Sequence, residues 1–292
     1  MDIDERIESA YDILHSCAIC PRECGVDRTS GEEGFCRTGD ELIVSSWGPH
    51  YGEERPLVGR GGSGTIFFTN CNLGCIFCQN YSISHLSEGD VVTEEKLAAV
   101  MLSLEEGGCH NINLVTPTHQ VPMILKAFKI AFDHGLRSPI VYNCGGYESI
   151  ETLKLLAGIV DIYMPDFKYA DGAMAAKYSD AADYPEVAKK AIKEMHRQVG
   201  DLVIDSKGVA TKGLLVRHLV MPDNIAGTEE VVRFLAEEIS ADTYLNVMDQ
   251  YRPCYKAFDH PEINRRITTL EFRDAVNAAI NAGIKRIDGV TI

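Results

Sequence analysis

No stretch of the 292-residue chain approaches the ~20 consecutive apolar residues that a bilayer-spanning helix needs, which excludes a helical membrane protein. The opening residues, Met1-Asp2-Ile3-Asp4-Glu5, are acidic where an export leader is basic and then apolar, so a cytoplasmic protein is expected. Positive charge is scarce. Against 43 Asp and Glu stand 28 Lys and Arg, a formal charge of −15, and the molecule lacks the long-range pull on phosphate backbones that marks a nucleic-acid binder. Any anionic ligand must be held by local cations. A composition of 45% hydrophobic and 24% charged residues, with 25 Gly and 11 Pro, excludes collagen-like, coiled-coil and wholly disordered chains. Cysteine is not lacking: there are ten. The cytosol keeps thiols reduced, so spacing rather than disulfide pairing must explain them.

From Ser63 onward, β-rich runs alternate with helical patterns, the signature of strand-helix units around a parallel sheet. Strands are expected at Thr65–Thr69, Asn111–Val115, Pro139–Asn143, Ile159–Met164, Leu214–Val220 and Tyr244–Val247, with a further one at Ile284–Ile287. Helices are expected after the N-cap Thr93 up to Gly107-Gly108, near Val121–His134, from Ser149, near Thr228–Ile239 and near Leu270–Ala282. The count predicts an α/β fold, a partial or full (β/α) barrel, and an open doubly wound sheet gives a similar string of elements. Both architectures gather chemistry at the carboxyl ends of the strands. Residues 1–62 differ: a short amphipathic helix (Ile3, Ile7, Tyr11, Leu14), four cysteines and a Gly-rich link make a small Cys-rich N-terminal module ahead of a barrel domain over 63–292.

Directly after the first barrel strand come Cys71, Cys75 and Cys78, three thiols on one loop. Soft thiolates favour iron-sulfur clusters or zinc, and Gly74 gives the loop backbone freedom to wrap a bulky group. Three ligands leave one metal open to another ligand. Alternatives at this point are a structural zinc site completed by a distant Cys or His, or buried thiols without chemistry. C-x3-C-x2-C with the aromatic Phe77 before its last cysteine, placed after the first strand, resembles the radical S-adenosylmethionine (radical SAM) enzymes. That resemblance implies a barrel of the radical SAM type. It further implies a 4Fe-4S cluster on Cys71, Cys75 and Cys78 whose open iron takes S-adenosylmethionine. One electron then cleaves the sulfonium to a 5′-deoxyadenosyl radical that abstracts hydrogen from substrate, the hard chemistry belonging to the cofactor.

Relatives place a Gly-Gly-Glu element at the end of the second strand, where this chain has Thr116 and Thr118 instead. Asp166 and Lys168 lie two apart in an extended run, so both aim one way, and a carboxylate with an ammonium suits a zwitterionic ligand. These strand ends are similar to those of pyruvate formate-lyase activating enzymes, which implies S-adenosylmethionine contacts at Asn143, Asp166 and Lys168. Asn80 matches an asparagine of that group, and Gln250 stands where those enzymes present a histidine to the adenosyl moiety. The resemblance extends over roughly residues 63–255 and looks most like the pyruvate formate-lyase activating enzyme-like (PflX) subgroup, which implies an oxidoreductase.

Cys17, Cys20, Cys24 and Cys36 form a second four-thiol set, suited to a structural zinc or a second iron-sulfur cluster. Cys109, Cys144 and Cys254 carry no catalytic assignment. Glu53 and Glu54, between module and barrel, are either substrate contacts or a solvated turn. The resemblance implies reduced flavodoxin or ferredoxin as electron donor; such donors are acidic, so docking on this acidic chain needs a local basic patch, for which Arg55 and Arg60 are candidates. The substrate class stays open among a glycyl radical enzyme, another protein and a small molecule. The competing reading is a non-catalytic iron-sulfur or zinc protein, an electron carrier or interaction module.

Overall fold

A computed structural model of the chain describes residues 1–288. The strands are β1 Leu42–His50, β2 Ser63–Phe68, β3 Asp90–Val92, β4 Ile112–Val115, β5 Ile140–Cys144, β6 Ile162–Pro165, β7 Val203–Ile204, β8 Ala210–Leu219, β9 Tyr244–Met248 and β10 Arg286–Ile287. The helices are α1 Ile3–Asp12, α2 Arg55–Val58, α3 Tyr81–Leu86, α4 Glu94–Glu106, α5 Val121–Asp133, α6 Ile150–Leu156, α7 Gly172–Ser179, α8 Tyr184–Val199, α9 Thr228–Phe234 and α10 Thr269–Asn281. One sheet runs in the order β10-β9-β8-β6-β5-β4-β2-β1-β3, with β7 paired to β8. From β2 through β4, β5, β6, β8 and β9 to β10 every neighbour is parallel, while β1 and β3 add antiparallel strands beyond β2. The sheet ends on β3 and β10, so the barrel is open rather than closed.

Helix signals and helix ends coincide where a cap is present. Thr93 accepts from Lys96 N–H at 3.2 Å, and α4 stops at Gly107-Gly108. Helix α1 carries a capping box between Asp2 and Glu5, and its Arg6 donates to the carbonyls of Leu155 and Ala157, which holds the N-terminal helix against the carboxyl end of α6. Strand β1 is a surprise of the first 62 residues: it pairs along β2, so this region contributes to the main sheet.

The period of two along the parallel strands divides their side chains. One set, with Tyr142, Tyr163, Leu214 and Val216, joins the large core under the helices. The other faces the interior of the curved sheet and changes character along each strand. Near the amino ends Val141, Ile162, Met164, Leu202, Ala210 and Leu215 close around Leu57 of α2 in an apolar plug. Two residues further along, Asn143, Asp166 and Arg217 continue the same faces as polar groups. An apolar floor beneath a polar ceiling therefore positions the site at the carboxyl ends.

Candidate active site

Asn70, in the left-handed conformation at φ +73°, turns the chain out of β2 into the cysteine loop. Its amide donates to Arg37 O at 3.0 Å and Thr38 Oγ1 at 3.2 Å and accepts from Ser87 Oγ at 2.7 Å, which fixes the turn. The loop then leans on the end of α7: Gly74 N–H donates to Ser179 O at 3.0 Å and Ile76 N–H to Tyr178 O at 2.9 Å. Gly74 serves close packing rather than unusual dihedrals, since a Cβ there would stand 3.2 Å from Asp180 Cβ and 3.3 Å from the Phe35 ring. Cys71, Cys75 and Cys78 all line one cavity of about 390 Å³. Leu73 N–H donates to Cys71 Sγ at 3.4 Å, Ser179 Oγ to Cys75 Sγ at 3.0 Å, and the Cys78 thiol to Ser84 Oγ at 3.6 Å. Burial, then the nearby Cys75, pushes the Cys71 and Cys78 thiols above their ordinary range. A bound cation reverses that logic, because a coordinating thiol is deprotonated outright. Among the described residues no three His, Cys, Asp or Glu side chains close to the spacing of a single-ion site. Three soft donors lining one cavity suit an iron-sulfur cluster.

Opposite the thiols, the strand ends present one bonded network. Lys168 Nζ donates to Asp166 Oδ2 at 2.5 Å, Arg217 Nε to Asp166 Oδ1 at 2.8 Å, and Arg217 Nη2 to Asn143 Oδ1 at 2.7 Å. The Asp166 and Lys168 side chains are only 15% and 17% exposed. Burial by itself would raise the Asp166 carboxyl, but Arg217 and Lys168 hold it below the usual carboxylate range. Burial disfavours charged Lys168, yet Asp166 and Cys75 keep it firmly protonated. Gly146, at φ +77°, makes the close approach possible: a Cβ there would meet Asp166 O at 2.2 Å.

The same cavity takes in Phe77, Asn80, Thr116, Asn143, Asp166, Lys168 and Gln250. Phe77 packs edge-on to Tyr169, with centroids 6.4 Å apart. Thr116 stands at φ +58°, a strained conformation for a β-branched residue, held by its N–H on Asn143 O at 2.8 Å. Thr118 is not brought to the cavity: it is fully buried and donates to Glu148 Oε1 at 2.8 Å. Arg60 is likewise remote, lining a cleft of about 1110 Å³ with His110, Pro139 and Val209, at the amino ends of the strands. The exposed cations beside the cysteine loop are Arg37, which donates to His85 O, and Lys256, whose N–H donates to Ile76 O at 2.9 Å. Of the N-terminal thiols, Cys17, Cys20 and Cys36 are buried, and burial, with the neighbouring thiols adding to it, pushes Cys20 and Cys36 up, whereas Cys24 Sγ accepts from Phe35 N–H at 3.4 Å.

Arg217 escaped sequence reading because nothing local distinguishes Val216-Arg217-His218 from any strand with one charge. Only the β6–β8 pairing delivers it to Asp166. Its neighbour His218 faces the other way, fully buried, with Nδ1–H donating to Phe167 O at 2.7 Å and Nε2 accepting from Thr228 Oγ1 at 2.9 Å. Burial pushes it down to about 4. As pH falls from about 6.5 the unfolded chain takes up this proton before the folded one, so stability drops across the window down to about pH 4, by about 3 kcal/mol. Urea titrations from pH 7 to 4 should show His218→Asn losing that much less than the wild type; parallel losses would show that His218 does not titrate in this range.

The sequence profile of the Radical SAM superfamily matches residues 65–235, more than half the chain. The chain belongs to the radical SAM superfamily. Its cofactors are accordingly a 4Fe-4S cluster and S-adenosylmethionine, and its class is an enzyme of SAM-cleaving radical chemistry. The uncharacterized protein MJ0674 of Methanocaldococcus jannaschii is 34% identical over 286 residues, covering 95% of this chain and 78% of that protein. Among solved structures, the FeFe-hydrogenase maturase HydG of Carboxydothermus hydrogenoformans superposes with a TM-score of 0.51 at 11% identity, covering 76% of this chain and 52% of that one. Streptococcus suis SuiB bound to S-adenosylmethionine gives 0.51 at 11% identity, covering 75% and 47%. The chain thus spans about half the length of these two, and the likeness is one of fold. None of the helices in the described residues is long and apolar enough to cross a membrane.

Proposed function

We propose that Cys71, Cys75 and Cys78 hold the 4Fe-4S cluster and that Lys168, Asp166, Asn143, Thr116 and Gln250 form the S-adenosylmethionine seat beside it, in an enzyme that abstracts hydrogen from its substrate as the pyruvate formate-lyase activating enzymes do. The observation that carries this reading is the single cavity shared by three thiols and a pinned lysine-aspartate pair. When bound, the cluster supplies one electron to the sulfonium of S-adenosylmethionine, from a reduced flavodoxin or ferredoxin. The chain's own part is to bind and to insulate. Lys168, already protonated, answers the ligand's carboxylate; Arg217 fixes Asp166 and Asn143 so that Lys168 keeps its aim. Phe77 and Leu73 wall the thiols from solvent.

Anaerobic reconstitution with iron and sulfide, followed by dithionite and S-adenosylmethionine, is expected to release 5′-deoxyadenosine. A cluster-loaded protein that binds S-adenosylmethionine yet never releases it would retire the enzymatic role in favour of an electron carrier. The N-terminal set, Cys17, Cys20, Cys24 and Cys36, is proposed as a second metal site, zinc or iron-sulfur, supported by the burial of three of its thiols together. Zinc and iron content of the Cys17→Ala variant against the wild type decides between the two metals.

A further inference from the structure

The segment from Gly52 to Leu57 runs into the barrel instead of around it. Leu57 is locked into the apolar plug, and Asn111 Nδ2 donates to its carbonyl at 2.9 Å. This anchoring draws the two preceding carboxylates inward, leaving the Glu53 and Glu54 side chains 11% and 5% exposed. Glu53 Oε2 accepts from Asn113 Nδ2 at 3.0 Å, and its Oε1 stands 3.9 Å from the half-exposed His50 Nε2. Glu54 Oε1 accepts from Asn246 Nδ2 at 3.0 Å and stands 3.9 Å from Arg217 Nε. Two acceptors remain with nothing to accept: Glu54 Oε2 and Asn113 Oδ1, both buried. An unsatisfied buried acceptor is costly, and Glu54 lines a volume that can supply its partner, whereas Asn113 reaches that volume only through Glu53. That volume, about 270 Å³, is lined by Glu53, Glu54, Arg217 and Asn246 and shares Gly52, Glu53, Arg217, Met248 and Gln250 with the thiol cavity.

Charge points the same way. Glu53, Glu54 and Asp166 face two buried cations, Lys168 and Arg217, and both of those are already committed to Asp166. Burial, together with Glu54 alongside, pushes the Glu53 carboxyl up in spite of Arg217. A carboxylate ligand would add to the surplus of negative charge, and a neutral hydroxyl would leave it uncorrected. We propose that this pocket anchors the substrate through a primary ammonium group, whose N–H bonds meet the unpartnered acceptor of Glu54 and the carboxylate of Glu53 while the remainder of the substrate extends toward the thiols. The proposal rests on the reading above only for what occupies the thiol end.

The test uses the reconstituted protein saturated with S-adenosylmethionine and ligand-observed NMR of three probes of like shape: n-butylammonium, n-butanol and butyrate. Butylammonium alone is expected to show saturation transfer, and Glu54→Gln should weaken its binding at least tenfold. Equal binding of the alcohol or the carboxylate, or unchanged binding to Glu54→Gln, overturns the proposal; the comparison of probes on the wild type stands even where the variant fails to fold. Displacement of butylammonium by S-adenosylmethionine would assign the pocket to that cofactor's own amino group, and would equally overturn it. Absence of cluster or of S-adenosylmethionine binding is a separate failure, of the thiol assignment, and the probes repeated without cofactor still read the pocket.

Discussion

Single replacement of Cys71, Cys75 or Cys78 by alanine is expected to empty the loop of iron and to cut 5′-deoxyadenosine formation at least about 100-fold. Disturbing only the outer partners of a metal ligand commonly costs 10–100-fold in affinity or activity, so removing a ligand itself sets that range as a floor. The structure grades the effect. Ser179 Oγ donates to Cys75 Sγ and touches no other thiol of the trio, so Ser179→Ala should fall within the outer-partner range of about 10–100-fold. Cys17→Ala, in the N-terminal set, should retain the loop iron, and Cys109→Ala, buried at the amino end of β4, should change neither quantity. Iron and sulfide per chain, read beside chromatographic 5′-deoxyadenosine, check all of these. A Cys71→Ala protein with full iron and full turnover would show that the cluster is held elsewhere.

The parallel strands were legible because each is a short apolar run bounded by turn residues, and β2, β4, β5, β6, β8 and β9 all lie within a few residues of expectation. Helix α4 was legible through its cap, Thr93, and α10 falls within a residue of the expected Leu270–Ala282, its Thr268 cap having gone unread. By contrast α7 and α8, between β6 and β8, passed unread. Helix α8 buries Tyr184, Ala188, Ala191, Ile192 and Met195 on one face, so its apolar stripe was present in the sequence and passed unread for no reason of pattern. Strand β1 was hidden by its composition: residues 45–50 carry the polar and bulky Ser45-Ser46-Trp47-Gly48-Pro49-His50, and only pairing along β2 makes them a strand.

The site divides along the same line. Cys71, Cys75 and Cys78 announce themselves by spacing, and Asp166 with Lys168 by a period of two, because local geometry alone brings those atoms together. Arg217 and Glu54 meet only because separate strands and the inward-running segment before α2 converge on one point, 163 positions apart in the chain. Thr118 was misplaced by one turn: the strained φ of Thr116 rotates the following chain, so that Thr118 looks down on Glu148 rather than into the cavity. Sequence distance and a single unusual dihedral are what pattern reading lacks.

That converging network makes an ordering of variants that neither sequence nor family would supply. Asp166→Ala leaves Lys168 and Arg217 as two buried cations with no common counterion, and breaking such a buried arrangement typically costs about 3–5 kcal/mol. Lys168→Met is milder, since Asp166 keeps Arg217 at 2.8 Å, and the loss approaches that of one charged hydrogen bond, about 1.5–3 kcal/mol. Binding should rank them the other way. Lys168→Met removes the ammonium proposed to meet the cofactor's carboxylate and should weaken S-adenosylmethionine about 10–100-fold in equilibrium dialysis, with the fold retained. The pH dependence carries the same signature. Because Asp166 is held below its ordinary range, its contribution is fully present above that range and is lost as pH falls through the depressed value, so Asp166→Ala should flatten the acid limb of the stability profile. If Asp166→Ala unfolds at the wild-type urea concentration, the pair is ornamental. If instead Lys168→Met binds S-adenosylmethionine as tightly as the parent, the lysine is a brace for Asp166, and the cofactor's carboxylate must be met by another cation.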